Sequence, residues 1–204
     1  REVATITVLV VGANRGLCGS YNTALVRSLE RFLDERRASH PEARIDVRIF
    51  GKKPAEYFRR KQRRYSSALE ELPDDVARWP VEEACRDFEV DFIEGRTDEV
   101  WVFYTRFRSA VSTKPTGERI IPMQREVAEV IAERGPLDET RGPSSGLVLF
   151  EPSAEAVFQS LVPRLVRARV RQACLDAKTS EHASRMVAME NATKNADELV
   201  HKLT

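Results

Sequence analysis

The chain has 204 residues, enough for one compact domain with a sizeable core, or a domain plus an extended arm. With 42% hydrophobic residues, 32% charged residues and a net charge of +1, it has apolar content for a core and charge for a long solvated helical face, and its overall charge gives no pull towards nucleic acid or acidic lipid. No run of about 18 apolar residues is present to span a bilayer, no signal peptide is visible, and three widely spaced cysteines, Cys18, Cys85 and Cys174, argue against a disulfide framework and suit a reducing compartment.

Val3 to Val11 is β-branched and apolar, as expected of a buried strand. A glycine-rich turn follows, Gly12-Ala13-Asn14-Arg15-Gly16-Leu17-Cys18-Gly19-Ser20. From about Asn22 to Arg37, Leu25, Val26, Leu29, Phe32 and Leu33 share one helical face. Ile45 to Phe50 reads as the next strand, ended by Gly51, and Pro54 to about Gln62 as a short helix. A strand-like stretch near Tyr65 to Leu72 leads into a loop marked by Pro73 and Pro80. Val81 to about Glu94 reads as a helix stopped by Gly95, and Asp98 to Arg108 as a long strand. Pro115-Thr116-Gly117 is a turn signal, with Ile120-Ile121-Pro122 ending a partner strand. Gln124 to Pro143 is loop-rich, and Leu147 to Phe150 reads as a short final strand. Strands alternating with helices favour a largely parallel α/β sheet covered by helices.

From Ser153 the pattern is helical to Thr204, with a kink or restart expected at Pro163, and both chain ends read as cut. This divides the chain into an α/β domain over residues 1–152 and a helix over 153–204. Met186, Met189, Ala192, Ala196, Leu199 and Leu203 recur at spacings of three and four, a narrow seam of coiled-coil type. Packing on its own domain is the plain alternative. A helix of this length, at 1.5 Å per residue, outreaches a small sheet, and its overhanging seam needs a second helix.

Two motifs carry a family resemblance. One is Arg15-Gly16-Leu17-Cys18-Gly19-Ser20-Tyr21-Asn22 after the first strand; the other runs from Thr179-Ser180-Glu181-His182-Ala183-Ser184-Arg185-Met186 through Ala196. Together they resemble the gamma subunit of F-type ATP synthases, and the element order matches across almost the whole chain. The resemblance implies a Rossmann-like α/β domain between two long terminal helices wound into an antiparallel coiled coil. Here the N-terminal helix and the tip of the C-terminal one are absent. Asn14 departs from the family's turn, and Tyr65 to Arg96 carries no matching motif.

The implied function is a rotor in the central stalk, not an enzyme in its own right. It would pass rotation between the membrane c-ring and the catalytic alpha and beta subunits, during ATP synthesis or hydrolysis coupled to proton or sodium transport. The implied partners are alpha, beta, epsilon and the c-ring, with no cofactor and no nucleic acid. The implied location is peripheral, on the cytoplasmic face of a bacterial inner membrane. Glu181 and Arg185 would contact the beta subunits; they lie four apart on one helix face and are also spaced to pair with each other. Arg185→Ala is then expected to uncouple the motor while leaving the domain folded. Met186, Met189, Ala192, Ala196, Leu199 and Leu203 would stiffen the shaft, and Val148, Phe150 and Glu151 would form the foot on the c-ring. Val148 and Phe150 read equally well as sheet core.

An alternative is a nucleotide-binding α/β enzyme using the turn from Gly12 to Gly19, since glycines between a strand and a helix N-terminus can cradle a phosphate. The spacing is neither G-x-G-x-x-G nor G-x-x-x-x-G-K-[ST]. The structural reading is a tight turn in which Gly12, Arg15, Gly16, Cys18 and Gly19 serve positive φ and close packing. Arg59-Arg60-Lys61-Gln62-Arg63-Arg64, flanked by Tyr57, Phe58 and Tyr65, is the feature a nucleic-acid reading would use; a solvated loop or an acidic partner suits it better. His40, His182 and His201 have no metal-ligand company in the sequence.

Overall fold

The structure is a computed structural model that describes residues 3–122 and 154–203, with side chains of the last helix described from Ser160 onward. The elements are β1 (Thr5–Val11), α1 (Tyr21–Ser39), β2 (Arg44–Phe50), α2 (Lys52–Arg60), β3 (Ser67–Leu69), a 3-10 turn (Val76–Arg78), α3 (Val81–Ile93), β4 (Glu99–Ser109), β5 (Ser112–Ile121) and α4 (Ala154–Leu203). The expected strand at Leu147–Phe150, the foot residues Val148, Phe150 and Glu151, and the boundary at 152/153 lie outside the described residues.

The sheet order is β3-β2-β1-β4-β5. β1 pairs in parallel with β2 and β4, β2 in parallel with β3, and β5 antiparallel with β4. β1 is central and apolar on both faces because helices cover both. On one face Ile6, Val8 and Val10 pack with Leu25 and Leu29 of α1 and with Ala55 and Phe58 of α2. On the other, Leu9, Val11, Val100 and Val102 pack with Cys85 and Phe88 of α3 and with Val166, Val170 and Cys174 of α4.

Two expectations need correcting. Pro115-Thr116-Gly117 is not a turn; it lies inside β5, and the β4–β5 connection is at Ala110–Val111. Pro115 is tolerated because β5 is an edge strand, where a missing N–H need not break the sheet. Gly117 pairs with Phe103, whose ring occupies the space a Cβ would take. The stretch Tyr65–Leu72 contributes only the short edge strand β3.

α4 runs as one helix through Pro163, which ends no element. Its 50 residues correspond to about 75 Å. Val166, Val170, Ala173, Cys174, Ala177 and Ser180 are buried on one face of the helix, each three or four positions from another of the set, so the first half of the helix supplies part of the domain's own core. From Met189 to Leu203 every described side chain is exposed. This length of about 22 Å overhangs the domain.

Candidate functional site

The region of interest is where α4 leaves the sheet, above the C-terminal ends of β1 and β4. The glycine turn after β1 meets it there. Gly12 allows close approach: a Cβ would sit 2.8 Å from Pro54 Cγ and 3.3 Å from Leu25 Cδ2. Gly19 takes φ +56 and packs against Ala188 of α4. Gly16 does neither. The second left-handed residue is Leu17, at φ 60, so positive φ falls on a leucine where a glycine was expected.

The turn is held by Asn22, the last residue of the first motif. Its Oδ1 accepts from the Ala13 amide at 3.2 Å and its Nδ2 donates to Cys18 Sγ at 3.2 Å. Asn14, the departure from the family pattern, donates to the Leu72 carbonyl at 2.8 Å and accepts from the Lys52 amide at 3.3 Å, which ties the turn to two neighbouring connections. Cys18 is buried, and burial raises its thiol above the ordinary value. The geometry makes it a packing residue.

α4 crosses this turn. Tyr21 Oη donates to the Ala177 carbonyl at 3.0 Å, Ser180 Oγ to the Thr105 carbonyl at 2.9 Å, and Arg185 Nε to the Gly16 carbonyl at 3.3 Å. Glu181 is 4% exposed; it accepts from Arg185 at 2.7 Å and lies 3.6 Å from Lys178 Nζ. Lys178 also reaches Asp74 at 3.0 Å, and Arg15 lies 3.9 Å from the same carboxylate. Burial, reinforced by the Glu181 carboxylate, pushes the Tyr21 hydroxyl far above its usual value, so it stays a donor.

Glu181 and Arg185 therefore pair, as their spacing allows, and are also built into the domain: Glu181 is covered, while Arg185 keeps a quarter of its side chain in solvent. Sequence reasoning missed Tyr21, Ser180 and Lys178 as their companions. Ser180 stands inside the second motif, and Tyr21 in the first, so the two motifs are the signal that the same site is built from both ends of the chain.

The nucleotide alternative is not favoured. In an open α/β sheet a ligand binds in the crevice outside the carboxyl ends of the strands, and here α4 lies over that crevice. The amides of Gly12, Ala13 and Tyr21 are spent on Phe50, Asn22 and Cys18. The basic cluster is dispersed too. Arg59 pairs with Glu70, Arg63 with Glu30, and Arg60 lies over Tyr57, while Phe58 is buried in the core.

The expected seam is displayed. Met186, Met189, Leu199 and Leu203 are 56%, 40%, 60% and 87% exposed, and Ala192 and Ala196 are exposed between them. The domain-facing row continues through Ser184 and Val187, which line a groove of about 290 Å³ with Gly19, Ala24 and Thr113. At 3.6 residues per turn, Met189 lies about 160° around the helix from Val187. The apolar stripe thus points away from the domain.

Comparison with known proteins agrees with this architecture. The ATP synthase family model matches residues 1–204. The chain is 36% identical over 204 residues to the ATP synthase gamma chain of Moorella thermoacetica, covering 100% of this chain and 66% of that one. It is 32% identical over 206 residues to the gamma chain of Heliobacterium modesticaldum, covering 100% of this chain and 67% of the relative. Its fold is similar to a chain in the rotor of the Euglena gracilis mitochondrial ATP synthase, with a TM-score of 0.65 and 20% identity over 98% of this chain and 71% of that one. The chain spans about two thirds of the length of these curated relatives. With its α/β sheet, its long terminal helix and both motifs in place, the chain belongs to the ATP synthase family and, within it, to the gamma chains.

Proposed function

We propose that the chain is the globular part and the start of the shaft of a central-stalk rotor subunit. It passes rotation between a membrane c-ring and catalytic alpha and beta subunits, in ATP synthesis or hydrolysis coupled to proton or sodium transport. The observation that carries this reading is the exposed stripe Met186, Met189, Ala192, Ala196, Leu199 and Leu203 on a helix that overhangs the domain. Apolar side chains at this spacing on a solvated rod are the surface of a two-stranded coiled coil, and the second strand is an N-terminal helix running antiparallel to α4. The shaft proper begins after Ala183, the last buried residue of α4.

ATP chemistry belongs to the beta subunits. By the family pattern, Arg185 contacts the beta subunits with the part of its guanidinium that remains in solvent, and Glu181 beneath it sets its position. Val148, Phe150 and Glu151 form the foot on the c-ring, and epsilon docks on the α/β domain. The subunit is peripheral, at the cytoplasmic face of a bacterial inner membrane.

Co-purification tests the reading. A tagged complete chain, expressed in its own cells, is expected to bring down alpha, beta and epsilon. A well-folded bait that brings down none of them refutes the rotor assignment.

A further inference from the structure

The bonds that hold α4 to the domain are unevenly spaced. From Val166 to Ala177 the buried face of the helix is made of small and medium apolar side chains: Val166, Val170, Ala173, Cys174 and Ala177. Apolar packing is non-directional. It resists separation, but it opposes sliding or twisting less, and packed helices are known to slip by a turn. Along that stretch Arg167, Arg169 and Arg171 also reach Glu89, Glu118 and Glu82, but through part-solvated ion pairs between long side chains; the bonds that involve backbone carbonyls are gathered at the exit. Within residues 177–185, about 12 Å of helix, the Ala177 carbonyl is held by Tyr21, Ser180 holds the Thr105 carbonyl, and Arg185 holds the Gly16 carbonyl. The three partners come from α1, β4 and the glycine turn. Tyr21, Thr105 and Ser180 are 4%, 2% and 0% exposed.

We propose that Tyr21, Ser180 and Arg185 are positioning residues that act as a torsional clamp, fixing the rotational and axial setting of α4 against the sheet at the point where torque passes between domain and shaft. The inference rests on the rotor reading and deepens it. A shift of one residue, or a turn of about 100°, breaks all three bonds together and strands two buried hydroxyls. The clamp's place matters as well as its strength. Twist accumulates over the free length of a rod, so gripping the helix at its exit leaves no loose segment inside the domain to wind up.

Tyr21→Phe with Ser180→Ala deletes two hydroxyls, preserves packing and leaves the Arg185–Glu181 pair untouched. The double variant is placed in the complete chain and assembled with its partner subunits. A bead is attached at the exposed β4–β5 connection through Val111→Cys, a position 85% exposed, while the three native thiols are buried. With the shaft held in a stalled alpha/beta crown, the variance of the bead's angle is expected to rise by up to about twofold, since two of the three carbonyl bonds at the exit are gone while the packing and the ion pairs of Arg167, Arg169 and Arg171 remain. ATP hydrolysis by the same unloaded complexes is expected to match wild type, which a general loss of structure would not allow. If the double variant fails to assemble, Ser180→Ala alone is read in the same way. Wild-type angular variance in a variant that assembles overturns the clamp and leaves the rotor reading standing. A wild-type chain that never assembles with alpha and beta overturns both.

Discussion

Arg185→Ala tests whether the second motif builds the domain as well as serving a partner. The guanidinium donates to Glu181 at 2.7 Å and to the Gly16 carbonyl at 3.3 Å. The Glu181 side chain is only 6% exposed, and that of Arg185 24%. Removing one partner of a fully buried ion pair costs about 3–5 kcal/mol. Two features reduce this here: Lys178 Nζ remains 3.6 Å from the stranded carboxylate, and Arg185 is partly solvated. The net expectation is about 2 kcal/mol. For a chain of this size that is a fall in Tm of about 4–8 °C and, with a urea m-value of about 2 kcal/mol/M, a midpoint lower by about 1 M. The assay is urea denaturation of wild type, Arg185→Ala, Glu181→Gln and the double variant. The double variant is expected to lose less than the sum of the singles, with a coupling of about 1 kcal/mol. A loss in Arg185→Ala below about 0.5 kcal/mol, the usual range of a surface substitution, refutes the reasoning. The earlier expectation that this substitution leaves the domain's folding intact would then stand.

Three further outcomes are expected. Gly12→Ala places a methyl against Pro54 and Leu25 and is expected to cost about 1–3 kcal/mol by overpacking, read as a lower urea midpoint. Burial pushes the thiols of Cys85 and Cys174 up to about 12 from 9.0. The folded state therefore holds protons that the unfolded chain releases, so stability is full below pH 9 and falls as pH rises from about 9 towards about 12; denaturation across that range checks the sign, and alkylation of these thiols at pH 8 is expected only after unfolding. Met186→Lys with Met189→Lys alters exposed positions and is expected to change the melting of the isolated chain by less than about 0.5 kcal/mol while abolishing recovery of alpha and beta with the tagged complete chain.

Much of this architecture is legible in the sequence, for physical reasons. β1 reads cleanly because Ile6 to Val11 is buried on both sides and contains only β-branched and apolar residues. α1 reads cleanly because its apolar face repeats at helical spacing. β5 misleads because proline and glycine are read as breakers, whereas an edge position absorbs the one and a facing aromatic ring explains the other. β3 shrinks to three residues because an edge strand needs few pairings. At the site, the pairing of Glu181 with Arg185 follows from their spacing, but its burial does not. The burial depends on Tyr21, Thr105 and Gly16, which lie 75 or more positions away in the chain and meet α4 only after the sheet forms.

The opposed faces of α4 set a phase. The row ending at Ser184 and Val187 grips the domain, and the row beginning at Met186 and Met189 is turned about 160° from it. The angle between head and shaft is therefore written in a residue count. One residue inserted just after Ala188 would rotate every later side chain by about 100° without disturbing the residues before it that grip the domain, leaving a well-folded head that points its companion surface in the wrong direction.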